Sequence, residues 1–348
     1  MRTLEVVAAG IWMGAALAQQ APALRMVGRL PPDAVAVQFV SANDGWCSTS
    51  ADLYRSGDGG RNWVRVQTRI YDPRRVQFLD ARNGWVATGG DSFFWTHDGG
   101  GSWTELRLPL HVVYDIRFAT PKTGWAIGMV ETPGDPSRET IRYRIAGENS
   151  VYVPALFRSD DGGRTWKQKP YPDVKSLPYQ LQFADAGHGL SIELKETLYT
   201  RDGGESWQRS KYGSEVNTRL LRSAESGNEN VDATAGQLLD AEYGWWSVEG
   251  DLFRTTEGGA TWHQLPPLRW HERLAKIHGL RFADRNAGWA VPNNAGQPTP
   301  MPCFRTRDGG ATWVGAVMPS GAQIRELTMA GDGTVYFWGD DRLYTAAK

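Results

Sequence analysis

An acidic, glycine-rich stretch, SDDGGRTWKQK at residues 159–169, contains the residue types from which phosphate-binding and calcium-binding loops are built. It combines two carboxylates, two adjacent glycines, hydroxyl groups and basic side chains. The same pattern recurs as SGDGGRNW at 56, THDGGGSW at 96, TRDGGESW at 200, TTEGGATW at 255 and TRDGGATW at 306. A loop that performs one reaction does not need six copies, so the repetition favours a structural role.

Each copy of this turn, called the box turn below, has one acidic position and a closing Trp. An Asp there can accept hydrogen bonds from the N–H groups of its own turn, and the glycines supply positive φ angles. Calcium loops need several acidic ligands, whereas only one position is acidic throughout, so we expect no metal and no cofactor. Glu257 is expected to loosen the fifth turn. The structural residues are Asp58, Asp98, Asp161, Asp202, Glu257 and Asp308, with Trp63, Trp103, Trp166, Trp207, Trp262 and Trp313.

A second repeated element precedes each box turn. It reads FVSANDGW at 39, FLDARNGW at 78, FATPKTGW at 118, FADAGHGL at 183, LLDAEYGW at 238 and FADRNAGW at 282. Its first residue always lies six positions before its Gly, so the register is constant. Short apolar runs between turn signals predict strands. Each unit should therefore have strand a ending near the Phe, strand b opened by Gly-Trp, strand c before the box turn, and strand d opened by the box Trp.

Units of roughly 46 residues with four antiparallel strands predict the blades of a β-propeller. Six units are complete, and a last strand trio reads IRELTM, GTVYFWG and RLYTA. The segment ALRMVGRLPPD at 23–33 resembles the segments that follow the box turns, and we expect it to supply the missing outer strand. The predicted fold is all-β: a single seven-bladed propeller over residues 19–348 whose last blade is closed by the N-terminal strand.

Residues 1–18 are interpreted as a signal peptide, with an apolar run from Val6 to Leu17 and a small-x-small cleavage site at Ala16-Leu17-Ala18. An uncleaved anchor or a poorly ordered tail is the alternative. The run is too short to span a bilayer, and no other segment approaches the ~20 apolar residues required. We therefore expect an exported protein, periplasmic or extracellular, without a transmembrane span.

Composition narrows the function classes. The formal net charge of −1 provides no global field that would attract nucleic acid or an acidic membrane. The 40 Gly and 16 Trp residues suit many short strands with tight turns and large packed rings. Cys47 and Cys303 form no CxxC motif, and both a disulfide and two buried thiols are compatible with their number.

The box turn resembles the Asp-box, or BNR, repeat. Its pairing with a Gly-Trp strand over nearly all of residues 24–348 looks most like the seven-bladed propellers related to the photosystem II stability and assembly factors, a repeat that many exported bacterial proteins share. The resemblance implies a monomeric, non-enzymatic scaffold that recognises a protein partner, for example an assembling membrane complex. A photosynthetic source would imply the thylakoid lumen.

A glycoside hydrolase or glycan-binding propeller is the alternative function, because Asp boxes also occur in sialidases and xyloglucan-degrading hydrolases. Sialidases need an arginine triad, a Tyr with a Glu, and an Asp acid, and the xyloglucan enzymes place carboxylates in a cleft between two propellers. The sequence of this chain predicts a single propeller, which would not form such a cleft. HERLAKIH at 271–278 lacks the HExxH spacing, and the G-x-S-x-G and Walker A motifs do not occur. No catalytic residue can be chosen from the sequence.

The inner strands should line a central channel. The residue before the Phe column is polar in all six complete units: Gln38, Gln77, Arg117, Gln182, Gln237 and Arg281. Arg75, Asp115 and Gln180 add polar groups two positions earlier, and Glu326 is a further channel acid. Glutamines and arginines can bind a carboxylate, a sugar or a peptide backbone, so we expect a binding role for Arg75, Arg117 and Arg281 together with the glutamines. Simple solvation of the channel is the alternative.

Loop lengths indicate a second surface. The a–b and box turns share one regular face, whereas insertions at 131–150, 209–235, 266–278 and 292–302 fall on the opposite, irregular face. Long loops on a rigid scaffold commonly carry recognition. The candidate contact residues are Arg142, Tyr143, Arg144, Trp270, His271 and Arg273. Local loop packing is the alternative, for Trp270 above all.

Overall fold

The computed structural model describes most of the chain after the predicted signal peptide, and it is all-β. The described residues form strands and turns without a helix, so none of them form a helix that could cross a membrane. The described ranges are 21–88, 92–132, 151–172, 178–193, 196–212, 235–248, 250–294 and 300–346.

Seven antiparallel sheets correspond to the seven predicted blades, and in each the order is strand a, b, c, d. Blade 1 contains Ala34–Phe39, Gly45–Thr49, Leu53–Ser56 and Val64–Arg65. Blade 2 contains Pro73–Phe78, Gly84–Thr88, Ser92–Thr96 and Thr104–Arg107. Blade 3 contains Val112–Phe118, Gly124–Thr132, Val151–Ser159 and Lys167–Lys169. Blade 4 contains Pro178–Phe183, Gly189–Glu193, Thr197–Thr200 and Gln208–Arg209.

The remaining blades complete the ring. Blade 5 contains Ala235–Leu238, Gly244–Val248, Asp251–Thr255 and Thr261–Leu265. Blade 6 contains Ile277–Phe282, Gly288–Pro292, Phe304–Thr306 and Val314–Gly315. Blade 7 contains Glu326–Met329, Val335–Gly339 and Arg342–Ala346, and Leu24–Arg29 pairs antiparallel with Arg342–Ala346 as its outer strand. The closure of the last blade by the N-terminal strand is therefore confirmed.

Two short additions depart from the regular repeat. Lys211–Tyr212 forms a fifth, outermost strand of blade 5 and pairs in parallel with Thr261–Leu265. The Tyr212 hydroxyl lies 2.7 Å from Thr197 Oγ1 of blade 4. Covering an outer strand in this way protects a sheet edge that would otherwise expose unpaired backbone groups. Before blade 6, Arg269–Trp270 and Arg273–Leu274 form a small hairpin.

The Phe at the end of strand a is the contact point between neighbouring blades. Its ring stacks face to face on the aromatic ring that opens strand b of the preceding blade, with centroids 3.5–4.0 Å apart at five of the seven interfaces. Such pairs contribute roughly 0.5–1.5 kcal/mol beyond the area they bury. The stacked pairs are Trp46 with Phe78, Trp85 with Phe118, Trp125 with Phe183, Trp245 with Phe282, and Tyr336 with Phe39.

The Gly of the Gly-Trp element is required by the same ring. A Cβ added at Gly84 would lie 2.3 Å from Phe78 of its own blade, and one at Gly45 would lie 2.4 Å from Phe39. The ring of each Phe thus lies over the glycine of its own blade on one side and against the Trp of the preceding blade on the other. This explains why the six-residue spacing between Phe and Gly is constant.

The box turns form the hydrogen bonds that the sequence predicts, and a hydroxyl adds to them. In the sixth box, Asp308 Oδ1 accepts from the N–H of Thr312 at 2.9 Å and from Thr306 Oγ1 at 2.8 Å, and Oδ2 accepts from Thr312 Oγ1 at 2.5 Å. Thr306 Oγ1 in turn accepts the N–H of Gly310 at 2.9 Å. The two box glycines have positive φ angles in all six copies.

Glu257 breaks this bonding pattern, as the sequence predicts. Thr255 Oγ1 still accepts the N–H of Gly259 at 3.0 Å, but within the described residues the Glu257 carboxylate has no hydrogen bond. Its additional methylene places the carboxylate away from the donors that an Asp reaches.

The box carboxylates are held in their ionised form. The N–H of Asn62, its side-chain amide and the Ser56 hydroxyl lower the pKa of Asp58 to about 2. Because this folded-state pKa lies below the ordinary value of 3.8, the stabilising contribution is present above pH ~4 and is lost as the pH falls towards 2.

The Trp residues that close the box turns are less buried than expected. Trp63, Trp103, Trp166, Trp207 and Trp313 are half-buried and precede strand d, and only Trp262 is fully buried. The five half-buried rings meet the Phe of strand a edge to face, at 5.9–6.2 Å. The deepest interface rings are instead those of strand b, because they lie between two blades.

We predict that Asp308→Ala lowers the free energy of unfolding by about 1–3 kcal/mol, because the buried Thr306 hydroxyl and two donors of the exposed Thr312 lose their acceptor. The matched control is Glu257→Ala, which should change stability by no more than about 0.5 kcal/mol because its carboxylate bonds nothing within the described residues. Urea unfolding followed by Trp fluorescence measures both. Equal losses for the two variants would contradict the role assigned to the box carboxylate.

Candidate functional site

The glutamines of the predicted channel column are bonded to the neighbouring blade. In three blades the side-chain amide both donates to the carbonyl and accepts from the N–H of the strand a Phe in the next blade. The pairs are Gln38 with Phe78, Gln77 with Phe118, and Gln237 with Phe282, at 2.6–3.0 Å. Gln182 makes one such bond, to the carbonyl of Gly236 at 3.2 Å.

Each such Gln and the aromatic ring that opens strand b contact the same Phe of the next blade. Gln77 lies directly opposite Trp85 in the sheet, and Gln237 lies opposite Trp245. The amide holds the backbone of the next blade's Phe while the indole stacks on its ring. These two contacts, called the Phe clamp below, use one cross-strand pair of one blade to fix one residue of the next.

The two arginines of the column, Arg117 and Arg281, make no such clamp. Arg117 lies opposite Trp125 and Arg281 opposite Trp289, so both occupy the position that Gln holds elsewhere. Arg117 Nε instead donates to Asp115 Oδ2 at 3.2 Å, and Arg281 Nη1 donates to the carbonyl of Leu280 at 2.6 Å. Blade packing therefore does not account for these two cations.

Asp115 joins three blades. Its side chain is fully buried, and its Oδ1 accepts from Arg75 Nη1 of blade 2 at 2.5 Å and from the N–H of Ile116 at 3.0 Å. Its Oδ2 accepts from Arg117 and from the N–H of Leu181 in blade 4, the latter at 3.0 Å. Four donors on one carboxylate explain how a buried charge is tolerated at this position.

On the other side of the channel, His278 Nε2 lies 2.7 Å from Glu326 Oε1. The hydrogen bond that His278 donates to Glu326 raises the pKa of His278. Burial lowers the pKa of Arg281, Glu326 opposes that shift, and the nearby Arg117 adds to it. Arg281 therefore interacts electrostatically with the carboxylate of Glu326 and with the guanidinium of Arg117.

The cluster as a whole has an excess of positive charge. The channel cluster is Arg75, Asp115, Arg117, His278, Arg281 and Glu326. Three guanidiniums are balanced by Asp115 and by Glu326, which His278 already contacts. Within the described residues, no carboxylate touches Arg281. An arginine in this setting is suited to bind an incoming carboxylate, since a guanidinium presents several donors in one plane.

The predicted contact residues of the irregular face are only partly described. Arg142, Tyr143 and Arg144 lie outside the described residues. Trp270 is half-buried and meets Phe304 edge to face at 5.9 Å, so it packs the hairpin against blade 6. His271, at the tip of the hairpin, is exposed and has a φ of 52°.

A buried acid that the sequence did not single out lies between blades 3 and 4. The Glu193 side chain is 1% exposed, and its Oε1 accepts from the Tyr171 hydroxyl and from Ser191 Oγ, the latter at 3.0 Å. Burial raises the pKa of Glu193 to about 8, against the bonds from Tyr171 and Ser191 that lower it. The sequence signal was weak, because a Glu at the end of strand b resembles an exposed loop residue.

Neither cysteine is available for the chemistry of the channel. Cys47 and Cys303 are both buried free thiols, and burial raises the pKa of Cys47 to about 12. Within the described ranges, no group of three or more His, Cys, Asp or Glu side chains could hold a metal ion.

Comparisons of the sequence identify the repeat and two kinds of relative. A family model of the BNR/Asp-box repeat matches residues 157–168. The xyloglucanase Xgh74A of Acetivibrio thermocellus is 28% identical over 201 residues, which cover 51% of this chain and 23% of that protein. The photosystem II assembly lipoprotein Ycf48 of Synechococcus sp. (strain CC9902) is 23% identical over 169 residues, which cover 47% of this chain and 43% of that protein. The chain thus spans less than half the length of these relatives.

Solved structures agree with the fold over almost the whole chain. The structure of YCF48 bound to D1 peptide has a TM-score of 0.64 at 16% identity, covering 94% of this chain and 100% of that chain. YCF48 from Cyanidioschyzon merolae has a TM-score of 0.63 at 17% identity, covering 93% and 98%. The chain carries the Asp-box repeat and has a propeller fold similar to that of these two proteins, as the sequence predicted.

We predict that Glu193 makes the free energy of unfolding depend on pH between about pH 4.5 and pH 8. Its folded-state pKa of about 8 lies above the ordinary 4.5, so folding is favoured below pH ~4.5 and that contribution is lost as the pH rises towards 8. Glu193→Gln should therefore raise the unfolding midpoint at pH 8–9 by the equivalent of a few kcal/mol, at about 1.4 kcal/mol per unit of pKa shift, and leave it nearly unchanged at pH 4.

The measurement is urea unfolding between pH 4 and 9. Glu196→Gln is the control, because Glu196 faces the same region but pairs with Arg209 at 2.7 Å. If Glu193→Gln shows the same pH dependence as the unsubstituted protein, Glu193 does not carry a raised pKa.

Proposed function

We propose that this protein is an exported, monomeric, non-enzymatic scaffold that binds a protein partner through an anionic group received in the central channel. The observation that carries the proposal is Arg281, a channel cation whose side chain has no carboxylate contact within the described residues. The proposed contact residues are Arg75, Arg117 and Arg281. A carboxylate of the partner, either a side chain or a chain terminus, would balance the excess positive charge.

The division of the channel column supports this assignment. Where the column holds Gln, the side chain joins neighbouring blades. Arg117 instead donates to Asp115 of the channel cluster, and Arg281 donates to the carbonyl of the adjacent Leu280. The glutamines are therefore proposed to shape the channel wall, with little free hydrogen-bonding capacity for a ligand. His271 and Arg273 on the irregular face, together with Arg142, Tyr143 and Arg144, are proposed as a second contact surface for the same partner.

The similar propellers also support partner binding. One solved structure that shares the fold is that of YCF48 bound to D1 peptide, and a relative by sequence is named as a photosystem II assembly lipoprotein. By analogy, the partner proposed here is a polypeptide, for example one belonging to an assembling membrane complex. Export follows from the signal peptide predicted at residues 1–18, and it stays a proposal.

We predict that Arg117→Gln combined with Arg281→Gln reduces capture of the partner at least tenfold, because both guanidiniums that depart from the repeat are removed. Crosslinking pull-down from extracts of the source organism, quantified by mass spectrometry, measures capture. The control is Arg69→Gln combined with Arg74→Gln, which changes the net charge equally at exposed positions outside the channel cluster. Capture by the channel variant at the level of the control would contradict the channel as the binding site.

A glycoside hydrolase is the second candidate, because a relative at 28% identity is a xyloglucanase. The four donors around Asp115 and the contact of Glu326 with His278 leave these two channel carboxylates already bonded. We therefore expect no release of reducing sugar from xyloglucan oligosaccharides and no release of fluorophore from sialosides. Turnover that disappears in Asp115→Asn or Glu326→Gln would replace the scaffold proposal with an enzyme.

A further inference from the structure

Three of the six box turns pack against a Trp and an Arg that lie opposite each other in the sheet of the preceding blade. In blade 3, the indole N–H of Trp125 donates to the carbonyl of Gly203 in the next blade's box turn at 2.9 Å, and Arg158 Nη1 donates to the same oxygen at 3.4 Å. The Arg158 guanidinium also lies over the Trp125 ring, 5.3 Å from its centroid. This Trp-Arg pair is called the box seat below, because it receives the first glycine carbonyl of a box turn.

The same Trp-Arg arrangement recurs in two other blades, with one hydrogen-bond donor in each. Arg55 lies over Trp46 and donates to the carbonyl of Gly99 in blade 2 at 3.3 Å, while the Trp46 indole N–H is buried without a hydrogen-bond partner among the described residues. Trp245 of blade 5 donates to the carbonyl of Gly309 in blade 6 at 2.9 Å. The acceptor is the same position of the box turn each time, so the seat recognises the backbone of the turn and not a side chain.

Blade 6 carries the same Trp-Arg pair, but within the described residues no box turn joins strands c and d of the next blade. Trp289 and Arg305 are opposite each other in the sheet, as Trp125 and Arg158 are, and the Arg305 guanidinium lies 5.7 Å from the Trp289 centroid. In blade 7, however, strand c is Arg342–Ala346 and strand d is Leu24–Arg29. Among the described residues, neither the Trp289 indole N–H nor the Arg305 guanidinium has a hydrogen-bond partner.

A cavity of about 680 Å³ lies at this seat. Its walls include Trp289 and Arg305 of blade 6, Tyr336 and Asp332 of blade 7, and Arg25 and Arg61. Gly59 of the first box turn closes one side. The volume is within the range of roughly 300–1,000 Å³ that small ligands and peptide turns occupy in proteins.

The charge around the cavity is positive. Arg25, Arg61 and Arg305 face a single carboxylate, that of Asp332, whose oxygens already accept the N–H groups of Ala42 and Thr334. Burial lowers the pKa of Arg305, and the neighbouring Arg307 lowers it further, so an anion beside Arg305 would be stabilised. A ligand of this cavity should therefore offer both a backbone carbonyl and a negative charge.

We propose that the blade 6 seat binds an acidic Asp-Gly-Gly turn of another polypeptide, which takes the place of the box turn that blade 7 lacks. The first glycine carbonyl of the turn would accept from Trp289 and Arg305, and its acidic group would lie near Arg25 and Arg61. A second copy of this chain does not fit, because each of its six box turns is built into its own ring. The site lies on the regular face, together with the a–b turns, and does not depend on the channel proposal.

The test is an NMR titration of the full chain labelled with ¹⁵N. The probe is a disulfide-cyclised peptide that copies residues 56–63, Ser-Gly-Asp-Gly-Gly-Arg-Asn-Trp, between two added cysteines. The indole N–H signal of Trp289, assigned with Trp289→Phe, should shift and saturate at millimolar peptide or below. The indole signal of Trp125 should not move, because Gly203 already fills its seat.

Three variants separate seat binding from other effects. Arg305→Gln should weaken peptide binding at least tenfold, and Arg25→Gln, at an exposed position, should weaken it at least threefold. Arg158→Gln is the matched control: it removes the equivalent arginine of an occupied seat, so it should lower thermal stability and leave peptide binding unchanged. Arg117→Gln combined with Arg281→Gln should also leave peptide binding unchanged, which distinguishes this site from the channel.

Several results would overturn the proposal. One is a Trp289 signal that does not shift at several millimolar peptide. Another is peptide binding by Arg305→Gln and by Arg25→Gln with the same affinity as the unsubstituted protein. A third is an equal shift with sodium acetate, or with the same peptide carrying Ala in place of Asp, because the cavity would then accept small anions or any peptide and not an acidic turn.

Discussion

The propeller depends on the contacts that each blade makes with a single Phe of the next blade. The indole that opens strand b stacks on the Phe ring, and where the opposite residue is Gln, its amide bonds both backbone groups of the same Phe. The glycine beneath the ring cannot accept a Cβ. These requirements tie together residues of two strands and two blades, so they repeat with the blade and determine the spacing of Phe, Gly and Trp along the chain.

Departures from the repeat mark the places where side chains are free for other tasks. Arg117 and Arg281 replace the clamping Gln, and their guanidiniums join the channel cluster instead. Trp289 and Arg305 keep the Trp-Arg pair of the box seat next to blade 7, in which the described residues form no box turn. In both cases the arrangement of neighbouring blades is the same as elsewhere in the repeat, but the usual contact between them is missing. A repeat protein can therefore bind a ligand at one blade while the other blades keep the propeller closed.

The architecture could be predicted from the sequence because six copies of the repeat are recognisable in it. Strand order, closure by the N-terminal strand and the bonding of the box carboxylates follow from spacing and turn chemistry alone. The interblade bonds of the channel glutamines could not be predicted from spacing. From the sequence, these side chains are interpreted as ligand-binding groups, because their bonds reach a different blade some forty residues away. The burial of Glu193 was equally hidden, since it depends on Tyr171 from another blade.

The central claim, that conformity to the repeat stabilises the ring and departure from it serves binding, is tested most directly at Arg281. Replacing it with Gln restores the repeat residue, removes a half-buried cation without a carboxylate contact among the described residues, and offers an amide to the backbone of Met329 in blade 7. The measurement is the free energy of unfolding of Arg281→Gln in urea. The account predicts a gain of about 1 kcal/mol. A loss of similar size would show that Arg281 holds the ring together and would contradict the account.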